Sequence, residues 1–284
     1  MIREAEVRRR AARWRVDPMV VDLDYSLSWF IAALCRANDL EDKLCFKGGT
    51  CLRKCYFSDY RFSEDLDFTA LVVPGSDQLL DWIERAMLWA EKNGGPDYQA
   101  GQPRLEVVRD DYGEETYQAR VYYRGPLQWG GSPRAIRIDV THNERVVSPC
   151  VTRHVIHPYS DEAMLGETQV LCYTLIEIMA EKIRAVGGQR RFAVSRDLYD
   201  IHQLVESGVN VDDVIPLVPA KFEARGLDVA ELHLQNLLDR RSEFEADWNR
   251  RLSYLVHAPG GNDFEETWTT VTATVRQVKR NLAR

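Results

Sequence analysis

No uninterrupted apolar stretch in this 284-residue chain approaches the roughly 18 residues that cross a bilayer, so no membrane-spanning segment is expected. Basic charge is also scarce. Lys and Arg number 37 against 44 Asp and Glu, a net charge of −7, which argues against a protein that coats nucleic acid without sequence preference. The six cysteines, Cys35, Cys45, Cys51, Cys55, Cys150 and Cys172, contain no Cys-x-x-Cys pair, and no histidine pair stands nearby at zinc-finger spacing. They are expected as buried free thiols, although Cys51 and Cys55, four apart on a helical stretch, leave a metal or redox role open. No Gly-x-Ser-x-Gly motif or Cys/His arrangement argues for acyl transfer, and His154 and His157, three apart, find no third ligand in the sequence. The opening MIREAEVRRRAARWRV lacks the apolar segment of a secretory leader, so a cytoplasmic address is expected.

What is present fits a globular chain: 45% of residues are hydrophobic and 29% charged. A chain of this length buries roughly three-quarters of its unfolded surface and needs no staple to hold a core. Residues 4–15 read as a basic helix, its arginines on a solvated face, and residues 22–37 as an amphipathic one. A short apolar run then meets a Gly-Gly turn and a helix from about Thr50. Strands are expected at 65–73, 104–109, 116–124 and 134–141, with a helix at 76–93 capped by Ser76. Beyond about residue 160 the pattern turns helical, at 168–186, 196–207, 211–225, 228–249 and 262–282. The expected organisation is α+β: residues 1–160 form an α/β domain with a mixed sheet, and residues 161–284 an all-helical domain that completes a ligand crevice.

Asp65 and Asp67 are the sharpest feature. Residues i and i+2 of a strand share a face, so both carboxylates point the same way, while Leu66 and Phe68 point the other. At about 6 Å and an effective dielectric near 20 they repel by roughly 3 kcal/mol, and a divalent cation relieves that directly. Oxygen ligands suit Mg²⁺, with Mn²⁺ as an alternative. A bare Asp-x-Asp on a solvated strand is common, but a second strand, RAIRIDVTH, carries Asp139 on its polar side. If the strands are neighbours, three carboxylates converge as a two-metal platform. Upstream, Lys47-Gly48-Gly49-Thr50 turns into a helix, where glycine lets backbone N–H groups approach a phosphate.

A glycine turn before a helix, followed by Asp-x-Asp on a strand, is the layout of polymerase-beta-type nucleotidyltransferases. The runs VDLDYSLSWFIAAL, FKGGTCLRKCYFSDYRFSEDLDF and EIMAEKIRAVGGQRRFAVSRDLYDIHQL resemble the AbiEii/AbiGii toxin family, which includes the MenT-type toxins of type IV toxin–antitoxin systems. The resemblance implies an enzyme that moves a nucleoside monophosphate from an NTP to an acceptor hydroxyl. It further implies tRNA as acceptor, modified at its 3′ end so that translation stops, and a cognate antitoxin, kinase-like or a transcriptional regulator. In some relatives the antitoxin phosphorylates a Ser or Thr two residues before the first motif aspartate, here Ser63, a position that also borders the nucleotide. Nucleotidylation of a protein or small molecule, or a binding module with an inactive site, are the competing readings.

The C-terminal half carries its own signal. On a helix over 168–186, Lys182 falls inside the apolar arc of Leu171, Leu175, Ile178, Met179 and Val186, while Glu177, Glu181 and Arg184 fall outside it. Asp197 shares the apolar stripe of the next helix. The pair reads either as a structural ion pair or as two groups edging an active site. The resemblance favours the second: Lys182 on nucleotide phosphate, Asp197 orienting it or meeting the acceptor, and Asp200 behind them. Arg190, Arg191 and Arg196, beside Gly187-Gly188, read as a possible phosphate grip or an ordinary solvated loop.

Overall fold

The computed structural model describes every residue except 41, 110–114, 128–129, 189–191, 257–262 and 284. It divides into two compact units, one of residues 1–109, 115–143 and 150–172, the other of residues 144–149 and 173–283. The second unit thus takes up the main chain at Tyr173 rather than at residue 161. The reason is that the segment after residue 150 supplies two strands to the sheet of the first.

In the first unit, α1 (Glu4–Trp14) and α2 (Pro18–Ala37) precede β1 (Leu44–Lys47). Asp17 caps α2 by accepting from the Met19 N–H at 2.7 Å, and Pro18 takes the first helical position, where its missing N–H costs nothing. By length and composition α2 could cross a membrane, but it is interrupted by Asp22 and Asp24 and most of it is buried inside the unit, as a core helix is. The turn α3 (Gly48–Cys51) runs into a wider π-helical turn over Leu52–Tyr56, then β2 (Asp65–Ala70) and α4 (Ser76–Lys92) follow. Gly75, not Ser76, occupies the cap position of α4, and no side chain caps it. Then come β3 (Arg104–Arg109), β4 (Glu115–Tyr123), β5 (Arg134–Thr141), β6 (Val151–His154), the short α5 (Glu162–Leu165) and β7 (Gln169–Cys172).

The seven strands form one mixed sheet in the order β3-β4-β5-β2-β1-β7-β6. The pairs β2–β5 and β1–β7 are parallel and the rest antiparallel. Alternation sorts the strands: Leu66, Phe68, Ile136, Ile138 and Val140 are buried on one side, with the Phe46 ring tilted against Phe68. One cysteine expectation is overturned, since Cys45 of β1 and Cys150 before β6 form a disulfide. The other four cysteines are free thiols.

The second unit is helical: α6 (Leu175–Gly187), α7 (Ser195–Glu206), α8 (Val211–Val214), α9 (Val218–Glu223), α10 (Leu234–Asp239), α11 (Arg241–Asp247) and α12 (Phe264–Leu282). The helix expected over 168–186 begins only at Leu175, capped by the Thr174 hydroxyl, and Leu171 lies in β7 instead. The expected helices over 211–225 and 228–249 are each broken. Pro216 shapes a 3₁₀ turn between α8 and α9, and a capping box at Asp228 opens another before α10.

Candidate active site

The carboxylates stand where alternation puts them. On β2, Asp65 and Asp67 flank the fully buried Leu66, and β5 runs parallel beside it with Asp67 opposite Asp139 and Asp65 opposite Arg137. On the other flank of β2, Lys47 of β1 lies opposite Asp67, and on the far side of β5, Gln118 of β4 lies opposite Asp139. Four neighbouring strands therefore carry the row Lys47, Asp67, Asp139, Gln118 across one face. The Gln118 amide donates to Asp139 Oδ1 at 3.0 Å.

Arg137 is the residue that sequence reasoning missed. It lies two before Asp139 and so shares its face, which is the signal that was available. Its guanidinium donates from Nε to Asp65 Oδ1 at 3.0 Å and from Nη2 to Asp65 Oδ2 at 2.7 Å, and stands 3.7 Å from Asp139 Oδ2. The like-charge problem posed by the aspartates is thus partly met by a side chain of the same face. The three carboxylates thus share one sheet face, with the Arg137 guanidinium in contact with Asp65 and near Asp139. Partial burial pushes the Asp139 carboxyl up, against the Gln118 hydrogen bond and the Arg137 charge, and the Asp65 charge adds to the rise. The hydrogen bonds and charge of Asp65 hold Arg137 more firmly protonated.

The glycine turn leans on this face. Gly48 has φ +79°, in the left-handed region, and a Cβ placed there would lie 2.5 Å from Asp67 Oδ2. The adjacent Gly49 leaves room for the buried Arg61 guanidinium, which donates to the Phe62 carbonyl at 3.1 Å. The Thr50 hydroxyl donates to the Asp65 carbonyl at 2.5 Å and ties the turn to β2. Ser63 is buried in the irregular stretch just ahead of Asp65. The hard oxygen donors of Asp65, Asp67 and Asp139, gathered on one sheet face with the Gly48 backbone packed against Asp67, fit a divalent cation of the Mg²⁺ type.

In the helical unit, Lys182 Nζ lies 2.5 Å from Asp197 Oδ1 and 3.0 Å from Asp200 Oδ2. Asp200, read as an outer residue, contacts the lysine directly and is fully buried. Arg196 lies in the first turn of α7, and Arg190 and Arg191 fall outside the described residues. Glu177 and Arg184 are buried rather than outside the packed face of α6. Glu177 accepts from the Val147 and Ser148 N–H groups at 2.9 and 2.8 Å and pairs with the buried Lys221 at 2.5 Å, so its charge is met inside the unit. The expectation put it outside the apolar arc, and helical phase alone does not reveal a cation from α9. Lys221 also meets Glu144 at 3.7 Å and Glu181 at 3.5 Å.

Comparison with known proteins adds the family. The family model for "Nucleotidyl transferase AbiEii toxin, Type IV TA system" matches residues 32–270. Among solved structures, JHP933 from Helicobacter pylori aligns with a TM-score of 0.56 at 16% identity, over 94% of this chain and 95% of that one. MenT4, the nucleotidyltransferase toxin Rv2826c from Mycobacterium tuberculosis, aligns with a TM-score of 0.52 at 23% identity, over 100% of this chain and 99% of that one. Both are likenesses of fold. No curated protein sequence matches the chain.

Proposed function

This chain belongs to the AbiEii family of nucleotidyltransferase toxins of type IV toxin–antitoxin systems, and from that premise we propose that it transfers a nucleoside monophosphate from an NTP to the 3′ end of tRNA, which stops translation. The observation that carries the reading is the register of Asp67 against Asp139, beside a glycine turn that only a residue without Cβ can make. Asp65, Asp67 and Asp139 would hold Mg²⁺, or Mn²⁺ in its place. The cation supplies charge neutralisation at the phosphates and a lowered barrier to phosphoryl transfer.

The acceptor hydroxyl oxygen attacks the α-phosphorus of the NTP. A new P–O bond forms, the bond to the β-phosphate oxygen breaks, and pyrophosphate leaves. Asp139, whose carboxyl burial raises above its ordinary value, is the proposed acceptor of the hydroxyl proton. Gly48, Gly49 and Thr50 are assigned to the phosphates and Ser63 to the edge of the nucleotide site, while within the helical unit Asp197 and Asp200 orient Lys182. A cytoplasmic location and a cognate antitoxin belong to the same reading. A kinase-like antitoxin that phosphorylates Ser63 would place negative charge two residues from Asp65 and repel NTP. Mass spectrometry after co-expression with the antitoxin checks this: unmodified Ser63 in a neutralised toxin excludes it.

The main test uses the purified chain, Mg²⁺, total tRNA and each α-labelled NTP, with Asp67→Ala alongside. Label in tRNA that the variant fails to add supports the proposal. Label that appears on protein or a small molecule, and not on tRNA, replaces the acceptor. An Asp67→Ala chain as toxic to cells as the parent removes the enzyme reading.

A further inference from the structure

A second cluster of donor atoms lies away from the carboxylate row. Cys51 ends α3, Cys55 stands four residues on in the wide turn Leu52–Tyr56, and Cys172 ends β7. All three are free thiols, buried, and their sulfurs lie within 4.8 Å of one another. Among the described residues no other set of three His, Cys, Asp or Glu side chains brings its ligand atoms so close.

The fold accounts for the meeting. Helical i,i+4 spacing puts Cys51 and Cys55 on one side of the turn. Strand β7 pairs with β1, Cys172 opposite Phe46, and β1 leads straight into that turn. Sequence spacing suggested the first pair, but only the parallel β1–β7 pairing supplies the third thiol.

The geometry points to a binding site for a thiophilic metal ion, with Zn²⁺ as the fitting member, held by the sulfurs of Cys51, Cys55 and Cys172. In tetrahedral zinc sites a Zn–S bond of about 2.3 Å sets sulfurs about 3.8 Å apart, so this trio needs a contraction of about 1 Å at most. Soft thiolates select Zn²⁺ or Cu⁺ over Mg²⁺, so the site and the carboxylate row do not compete for one ion. The Tyr56 hydroxyl borders the trio, 3.8 Å from Cys172 Sγ, and the fourth position is left to water. Three thiolates and Zn²⁺ leave one net negative charge, and the Arg153 guanidinium, 5.0 Å over the Tyr56 ring, lies beside it. Binding releases the thiol protons to solvent. The bound ion would staple the segment that follows the glycine turn to β7. The inference stands on the thiols alone and holds whatever the chain transfers.

The test uses the full chain with its Cys45–Cys150 disulfide intact, handled without oxygen so that the free thiols stay reduced. Zn²⁺ is added in excess, unbound metal is removed by desalting, and retained zinc is measured. In parallel, Co²⁺ is titrated and followed by its thiolate-to-metal charge-transfer absorption. The expected result is one equivalent of zinc, a charge-transfer band that Zn²⁺ bleaches, and a melting temperature that rises with Zn²⁺. Cys55→Ala and Cys172→Ser should lose all three, and Cys35→Ser should keep them. Because changes at buried thiols can unfold a chain, far-ultraviolet circular dichroism accompanies each variant, and Cys55→Ala, at the least enclosed of the three positions, is the deciding one. A parent chain that retains only traces of zinc and shows no band overturns the proposal, as does a folded Cys55→Ala chain that binds like the parent.

Discussion

Arg137 grips Asp65 with two parallel hydrogen bonds, Nε to Oδ1 at 3.0 Å and Nη2 to Oδ2 at 2.7 Å, on the face where three aspartates gather. The fork has the planar geometry in which guanidinium and carboxylate fit best. It also sets a competition, because a cation that takes Asp65 as a ligand must draw that carboxylate away from Arg137. In Arg137→Ala the competition is gone and the unrelieved negative charge draws cations more strongly. The Mg²⁺ concentration that half-saturates nucleotidyl transfer should then fall several-fold, while the maximal rate at saturating Mg²⁺ stays within a few-fold of the parent. A Mg²⁺ titration of the transfer assay checks it. A rate lost at every Mg²⁺ concentration would instead put Arg137 on the substrate.

Gly48 carries the second prediction. Its φ of +79° is strained for any residue with a Cβ, and that Cβ would press on Asp67 Oδ2 at 2.5 Å. Gly48→Ala should cost about 1–2 kcal/mol of stability through the backbone alone. It should also abolish transfer, because the atom that must move is the carboxylate itself. Urea unfolding and the transfer assay separate the two effects. A variant that is destabilised yet fully active would free Asp67 from the role proposed for it.

How far these features could be read in advance follows from the range of the interactions behind them. The alternation in DLDFTA and RAIRIDVT is local, and it put Asp65, Asp67 and Asp139 on polar faces correctly. That β2 and β5 are neighbours is not local, so the register of Asp67 with Asp139 and the Arg137 fork needed the sheet. The apolar residues of Gln169–Cys172 fit helical and strand periods alike over so short a span, and only pairing with β1 and β6 decided for the strand. Lys182 and Asp197 meet as their shared stripes suggested, whereas Glu177 went inside because Lys221, more than forty residues later, pairs with it. The Cys45–Cys150 disulfide joins residues far apart in sequence, and spacing gave no hint of it.

A third prediction concerns Asp24, which is nearly without solvent contact. It pairs with Arg53 at 2.5 Å and Lys54 at 2.8 Å and accepts from the Tyr159 hydroxyl at 2.7 Å. Burial alone would raise its carboxyl, but the two cations and their hydrogen bonds outweigh that and hold it well below the usual carboxylate range. Burial also lowers Lys54, to about 8, in spite of Asp24. Asp24→Asn leaves two buried cations without a counter-charge, a change that costs about 3–5 kcal/mol. The expected outcome is a large drop in the denaturant midpoint with little change in its slope. A shift of less than about 1 kcal/mol would show that water reaches Arg53 and Lys54 in the variant.

The fourth prediction is a pH dependence of stability centred on His157. The ring is buried, its Nε2 is 2.9 Å from Asp161 Oδ1, and the same carboxylate accepts from the Tyr25 hydroxyl at 2.6 Å and the Trp29 indole at 3.3 Å. Burial lowers the His157 imidazole below its ordinary 6.5, against the pull of Asp161. Burial would raise Asp161 above its ordinary 3.8, but the bonds from His157, Tyr25 and Trp29 bring it below. Both groups are therefore depressed in the folded chain, so between the folded and unfolded values the unfolded chain binds more protons. Their contribution is complete above the unfolded value of each and is lost as pH falls, first through the histidine window below 6.5 and then through the aspartate window below 3.8. Melting temperatures measured from about pH 7 to about pH 5 should decline in the parent. In His157→Gln, which keeps an amide N–H for Asp161 and cannot titrate, the decline should flatten while the melting temperature near neutrality falls modestly. An unchanged slope in that variant would assign the acid sensitivity to another buried group.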